Sequence, residues 1–177
     1  GTPMPTIPVE TGAIVPGATS SVSLADADAY HAAMGNDWDS TTDTETFEQA
    51  LIVAARSVDT LWGSQFLGSL LSDHQPLLFP RTAFQDTTGR VIARAAIPRA
   101  LRDAQCEIAL LALAGQDVMP FPASGTIQSE SVSVDVISRD ITYSAPKAQA
   151  EYPGLEKVAL ILGPILRKAG ANWRIRV

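Results

Sequence analysis

The segment from Leu77 to Gly115 constrains the fold more than any other part of the chain, because it holds a helix whose start and end are both legible. Pro98 fits the first turn of a helix, where its missing N–H would have no partner anyway. One helical face then recurs at helical spacing, and it consists of Ile97, Leu101, Ala104, Ile108 and Leu111. Gly115 readily takes the left-handed conformation that ends a helix. We therefore expect a buried helix between Pro98 and Gly115.

Ahead of this helix, the sequence predicts a hooked loop over residues 81–94. The apolar run Leu77-Leu78-Phe79 leads into Pro80, which holds Phe79 in an extended conformation. The residues from Asp86 to Gly89 are typical of a turn. We therefore expect the loop to fold back onto the helix and to anchor the core.

A first helix is predicted from Ser23, a favourable N-cap, to Gly35. Its apolar stripe consists of Leu24, Ala27, Tyr30 or His31, and Met34. Because no second histidine or cysteine stands near His31, we expect a half-buried helix residue there rather than a metal ligand.

A second, longer helix is predicted to begin after Thr42 or Asp43 and to end at Trp62. Its stripe consists of Phe47, Leu51, Ala54, Val58 and Leu61. Arg56 and Asp59 stand three residues apart, which permits a pair on the outer face worth about a few tenths of a kcal/mol.

Beyond Gly115 the pattern changes from helix to strand. Prolines and a glycine break the chain over residues 117–125, and alternating apolar residues then predict a β-hairpin within 131–144. Pro153 opens a last helix, which Gly163-Pro164 should kink or split. The alternating terminus 173–177 is typical of a strand that lacks a partner.

These patterns predict a single domain of the mainly α class: a small bundle of about four helices with a β-hairpin, an extended N-terminal arm and a C-terminal strand. Residues 1–22 are too polar to form a core of their own, so we expect them to be an arm ordered only against something else. Residues 23–116 form the helical core, and residues 117–177 carry the hairpin, the last helix and the terminal strand.

Composition argues against several functions. Thirteen lysines and arginines against nineteen acidic residues give a net charge of −6, a poor balance for a dedicated nucleic-acid-binding protein. One cysteine excludes an intramolecular disulfide, and two histidines offer no zinc spacing. We find no phosphate-binding glycine loop and no hydrolase, metalloprotease or calcium-loop motif. We therefore expect no enzyme, no cofactor and no metal, and we interpret the acidic residues of the first two helices as solvated caps.

Three short motifs resemble a family of proteins from long-tailed phages. They are Leu78-Phe79-Pro80-Arg81, with Phe79 where the family more usually has tryptophan, Gly89-Arg90, and Ile97-Pro98-Arg99-Ala100-Leu101. Members are often called DnaT-like single-stranded-DNA-binding proteins. The same family is similar to the head–tail adaptor, or head-completion, proteins that lie beneath the phage portal.

The resemblance implies a structural virion protein: an adaptor that forms a ring, a dodecamer, under the portal and links capsid to tail while leaving a channel for DNA. Its implied partners are further copies of itself, the portal protein, a tail-side connector or tail terminator protein, and passing genomic DNA without sequence-specific binding. The implied location is the virion neck, after synthesis in the host cytoplasm; no segment is apolar enough to cross a membrane.

The alternative function is a replication accessory protein that binds single-stranded DNA. Such a protein needs aromatic side chains that stack on bases beside a cationic groove. Two small patches offer these residue types: one combines Trp62 and Phe79 with Arg81 and Arg90, and the other combines Trp173 with Arg174 and Arg176.

For the adaptor, we expect contact residues rather than catalytic ones. The terminal strand, Trp173, Arg174, Ile175, Arg176 and Val177, and the arm over residues 1–22 are predicted to meet the portal or a neighbouring subunit. Arg81 and Arg99 are predicted as positioning charges. Removal of residues 172–177 should abolish docking and leave the monomer folded.

Overall fold

The computed structural model describes residues 7–119 and 154–168. Its helices are α1 (Leu24–Met34), α2 (Thr44–Trp62), α3 (Arg99–Leu113) and α4 (Leu155–Leu162), and short 3-10 turns, Gly63–Gln65 and Gly163–Ile165, follow α2 and α4. The strands β1 (Phe84–Gln85) and β2 (Val91–Ile92) pair antiparallel. The mainly α class is thus confirmed. No helix in the described ranges is long and apolar enough to cross a membrane.

Several predicted features lie outside the described residues. These are the hairpin within 131–144, the terminal strand with its interface residues Trp173 to Val177, and Pro153 at the start of the last helix.

The helix ends follow from local sequence. The hydroxyl of Ser23 caps α1, and Asp43, one of the two predicted caps, caps α2. Pro98 lies just outside α3, as its N-cap residue, one position earlier than predicted. Gly115 has a φ of 86°, and its N–H donates to the Ala112 carbonyl at 3.0 Å. This left-handed glycine ends the helix as predicted.

The core lies where α2, α3 and α4 pack together. Its most buried members include Leu51, Ala54, Val58, Trp62, Leu101, Ala104, Ile108, Val158, Leu162 and Ile165. The predicted stripes of α2 and α3 therefore face the core. Met34, placed on the stripe of α1, is instead 52% exposed, because α1 runs one turn beyond its last buried residue, His31.

Residues 7–22 differ from the predicted arm, because they pack on the helices of the same chain. The buried Gln105 amide accepts the Ser21 N–H at 3.0 Å and donates to the Ser20 hydroxyl at 2.6 Å and the Leu51 carbonyl at 2.9 Å. Upstream, the buried Glu10 carboxylate accepts three backbone N–H groups, those of Gly12, Ile14 and Val15. Two polar side chains thus fix a segment that has little apolar surface of its own.

The last helix is split at the predicted place. It ends at Leu162, and Pro164 lies in the 3-10 turn that follows. The chain then runs extended beside the residues after α2, where Phe66 pairs antiparallel with Leu166. The end of the described chain is therefore held against the residues that follow α2.

Candidate functional site

Arg81, the first residue of the hook, binds three backbone carbonyls of the preceding chain. Its Nε donates to the Leu67 carbonyl at 2.8 Å, its Nη2 to the Gly68 carbonyl at 2.8 Å, and its Nη1 to the Leu78 carbonyl at 3.2 Å. Arg81 is 9% exposed, so these bonds replace the water that its charge has lost. Burial, and then the nearby charge of Arg167, lower the pKa of Arg81. The residue predicted as a positioning charge therefore clamps its own loop and shows little surface.

Arg99, the second predicted positioning charge, is at the surface. Its side chain is 85% exposed and lies 3.4 Å from the Asp103 carboxylate one turn further along α3. An exposed pair of this kind contributes about 0.3–0.5 kcal/mol, so Arg99 is open to a partner at little cost to the fold.

The turn between β1 and β2 is built by Asp86. Its Oδ1 accepts the N–H groups of Thr88 and Arg90, both at 2.9 Å, and the Thr88 hydroxyl at 2.7 Å. The Thr87 N–H at the tip donates to the Pro164 carbonyl at 2.9 Å. The hook, predicted as a loop, is therefore a short hairpin docked on the turn that follows α4.

This docking brings exposed cations from two segments to the same end of the molecule. The Ala95 N–H donates to the Arg81 carbonyl at 3.1 Å, which places Arg94 beside it. The Arg167 N–H donates to the Gln65 carbonyl at 2.7 Å on the other side. We name the four exposed residues here, Arg90, Arg94, Arg167 and Lys168, the cationic end.

Acidic residues are few at this end. Residues 63–95 and 163–168 contain five lysines and arginines and two acidic residues, a balance of +3. The rest of the chain then carries −9, since the total is −6. The two ion pairs found within the described ranges, Arg99–Asp103 and Lys157–Glu107, include no member of the cationic end.

The opposite charge lies at the start of α2. Asp37, Asp39, Asp43 and Glu45 are all exposed, and we name them the acidic end. Hydrogen bonds from Thr41 and Thr46 lower the pKa values of Asp39 and Asp43, so both carboxylates stay ionised well below neutral pH. The 19 residues of α2 separate the two ends by about 28 Å. Within the described ranges, no three metal-ligating side chains converge.

The aromatic side chains of the first predicted DNA-binding patch are not available for stacking. Trp62 and Phe79 are 2% and 1% exposed, so the first of the two predicted DNA-binding patches has no stacking surface. Trp38, the other tryptophan of the described part, stacks on the His31 ring at 4.2 Å and donates to Asp28 at 2.7 Å.

His31 belongs to a satisfied internal network. It is fully buried, not half-buried as predicted. Both ring nitrogens have partners in the interior, since Nε2 lies 3.1 Å from the Cys106 carbonyl and Nδ1 lies 2.9 Å from the Asn36 amide. Burial lowers the pKa of His31 and raises that of the Cys106 thiol to about 12. Cys106 is therefore not an activated nucleophile with His31 as its base, because the thiol is un-ionised and the imidazole is neutral.

A second polar link joins three helices. The buried Glu107 carboxylate on α3 accepts the Tyr30 hydroxyl of α1 at 2.7 Å and lies 3.2 Å from the Lys157 ammonium of α4. Glu107 is thus paired with both of the other groups, so this arrangement stabilises the packing of the three helices.

Asp59 was expected on the outer face with Arg56, but it faces inward. Its Oδ2 accepts the Leu78 N–H at 3.2 Å and supports the start of the hook. Burial raises the pKa of Asp59 to about 6, against smaller opposing effects of that hydrogen bond and of Arg81. The expected Arg56 pair is replaced by a backbone contact 19 residues away.

One signal in the sequence marks the charge separation. The first lysine or arginine of the chain is Arg56, and eight acidic residues precede it. The uneven distribution was visible without a structure. The cationic end was not visible in the sequence, because it joins residues from two segments more than 70 positions apart.

Comparison with known proteins gives one match. The model of the family described as "Putative DnaT-like ssDNA binding protein" matches residues 5–177. No curated protein matches the chain significantly, and no solved structure does. Since the match covers nearly all of the sequence, the chain belongs to this DnaT-like family.

Proposed function

We propose that this protein is a structural subunit of the neck of a tailed phage: a head–tail adaptor that forms a ring beneath the portal and lets DNA pass into the tail. The observation that carries the proposal is the charge distribution. The first 55 residues hold eight acidic residues and no lysine or arginine, and they form α1, the acidic end and most of α2. A channel wall of this charge does not hold phosphates, so DNA slides past it.

In this proposal the partners are further copies of the chain, twelve by the resemblance, the portal protein on one side, and a tail-side connector or tail terminator on the other. Two features of the described ranges support a structural role: the buried side-chain polar atoms other than the Thr19 hydroxyl are hydrogen-bonded, and the aromatic side chains of Trp62, Phe66 and Phe79 are buried in the core. Both are typical of a rigid body that presents surfaces rather than a reaction centre.

Quantitative mass spectrometry of purified virions tests the proposal. We expect the chain in the particle at a ratio near one to the portal subunit. Absence of the chain from the particle would overturn the adaptor.

The second candidate is the single-stranded-DNA binding that the family description names. The cationic end favours it, because Arg90, Arg94, Arg167 and Lys168 are exposed and carry charge that phosphates neutralise. A titration of the purified chain with a labelled oligonucleotide at several salt concentrations tests it. Affinity that falls steeply with salt and is lost in the R90E/R94E variant supports DNA binding, whereas no measurable affinity at low salt removes this candidate.

A further inference from the structure

The two charged ends are complementary and lie on different parts of the same chain. Four exposed cations stand beyond the C-terminus of α2, and four exposed carboxylates stand at its N-terminus. Each copy of the protein therefore carries both halves of an attractive contact. A contact between unlike ends is favourable around a two-fold axis as well as head-to-tail, and a ring requires the head-to-tail arrangement.

Exposed apolar residues accompany the charges. The described ranges expose four large apolar side chains: Met34, Leu70, Val91 and Leu160. Val91, 73% exposed, follows Arg90 in β2, and Leu70 pairs with Arg81 in the hook. Met34, 52% exposed, lies three residues before Asp37. Three of the four thus lie at the charged ends, and an apolar residue inside a charged rim is typical of protein interfaces.

This combination distinguishes a protein partner from DNA. A phosphate backbone binds hydrogen-bond donors and cations, but covering valine, leucine or methionine with phosphates gains no hydrophobic free energy. A second copy of the chain supplies acidic groups for the cationic end and an exposed methionine for its apolar residues.

We propose that the cationic end of one copy binds the acidic end of the next, with Val91 and Leu70 packing near Met34, and that this is the contact between neighbours in the ring. The inference rests on the proposed ring and gives that ring its chemistry. The acidic end then meets the neighbouring copy, so the acidic residues of α1, Asp26 and Asp28, are the ones left for the channel wall. In a ring this contact is head-to-tail, so a rotation that closes leaves neither end of any copy unused.

Charge reversal tests the contact. We expect the full chain to assemble at about 0.1 M salt and to dissociate at about 1 M salt, where exposed charges are screened within a few ångströms. R90E/R94E alone and D37K/E45K alone should each raise the dissociation constant by about tenfold or more. An equimolar mixture of the two variants should assemble again, since each then offers the charge that the other lacks. Native mass spectrometry and light scattering read out the masses.

The matched control is R56E/R102E, which reverses two exposed arginines outside both ends. It should assemble like the unchanged chain. Circular dichroism and melting temperature show that each variant is folded, and assembly of the mixture proves that both partners are competent.

A second pair of variants tests the apolar part. Val91→Ser should weaken assembly, and Leu160→Ser, which alters the fourth exposed residue on α4, should not. The inference is overturned by a chain that stays monomeric at low salt, by assembly that ignores both charge reversals, or by a mixture that fails to assemble.

The outcomes separate this inference from the proposed function. A chain that is present in virions and assembles independently of R90E/R94E keeps the adaptor and loses this contact. If R90E/R94E leaves assembly intact and abolishes salt-dependent DNA binding, the cationic end belongs to nucleic acid and the inference is wrong.

Discussion

Gln105 connects three separate parts of the chain through one side chain. Its amide bonds Ser20 and Ser21 of the N-terminal segment and the Leu51 carbonyl of α2, and it is 1% exposed. Every polar atom of the amide is used, so the burial of a polar residue is offset by its bonds.

Replacement of Gln105 by alanine should lower the free energy of unfolding by about 3 kcal/mol. The change leaves the Ser21 N–H without its acceptor inside the protein and opens a cavity. Urea denaturation followed by circular dichroism measures the loss. The control is Gln116→Ala, an exposed site where a change within about 0.5 kcal/mol is expected. Equal losses at the two sites would contradict the role of the network.

Asp59 and His31 make stability depend on pH in opposite directions. The pKa of Asp59 is raised to about 6, so its charge disfavours the folded state at neutral pH and this cost disappears as pH falls through 6. The pKa of His31 is lowered from 6.5 by burial, so the folded state binds fewer protons than the unfolded chain and loses stability as pH falls below 6.5.

The D59N variant separates the two effects. Asparagine keeps an acceptor for the Leu78 N–H but no charge, so D59N should be about 1–2 kcal/mol more stable than the unchanged chain at pH 8. The two proteins should converge near pH 4, where Asp59 is protonated. Urea denaturation across this range measures the difference, with D73N at an exposed loop as the control. A D59N variant that is less stable at pH 8 would refute the cost assigned to the buried charge.

The hook is held together at the level of elements by close backbone approaches. Gly68 has a φ of 76°, and a Cβ there would lie 2.9 Å from the Thr82 carbonyl oxygen and 3.0 Å from Phe84. Gly17 has a similar φ of 71° but open space around it. Alanine substitutions at the two glycines can therefore be compared to distinguish the cost of steric crowding from the cost of backbone strain.

Gly17→Ala should cost about 1 kcal/mol, from the left-handed backbone alone. Gly68→Ala should cost about 1–3 kcal/mol more, because the added methyl group must displace the hook. Thermal unfolding of both variants measures the two costs. Equal losses of stability in the two variants would mean that the hook accommodates the added methyl group at Gly68 without a steric cost.

The sequence predicts the helices well, because caps and apolar spacing are local signals. Ser23, Asp43, Gly115 and the split at Pro164 each act on their own neighbours. What it did not predict depends on distant contacts.

Gln105 reaches residues 54 to 85 positions away, and Asp59 turns inward for a backbone N–H of the hook. The short β1–β2 hairpin escaped notice for a different reason, since two-residue strands show no alternation to detect. Of the candidate site, the sequence predicted both Arg81 and Arg99 as positioning charges. Arg99 does lie at the surface, but nothing in the sequence indicated that Arg81 is buried and holds its own loop.

At the scale of the whole molecule, residues 7–22 pack as part of the folded body rather than as a separate arm. Ala18 and Val22 are buried, and Glu10 holds three N–H groups of the loop that precedes them. The segment therefore contributes to one cooperative unit together with α2 and α3.

Removal of residues 1–22 should lower the free energy of unfolding by more than about 3 kcal/mol, since it exposes apolar core and leaves the Gln105 side chain with only its bond to the Leu51 carbonyl. Removal of residues 1–6 keeps every contact described for residues 7–22 and should change stability by less than about 0.5 kcal/mol. Thermal unfolding compares the two truncations. If both truncations melt like the full chain, residues 7–22 are a dispensable arm.

Both borders of residues 120–153 are fixed to the body. The Ser57 hydroxyl donates to the Val118 carbonyl on one side, and Gly154, with a φ of 96°, lies against the Leu111 side chain on the other. Val118 and Leu155 belong to the same core. A change in the number of residues between these borders would therefore leave both of these contacts with the body in place.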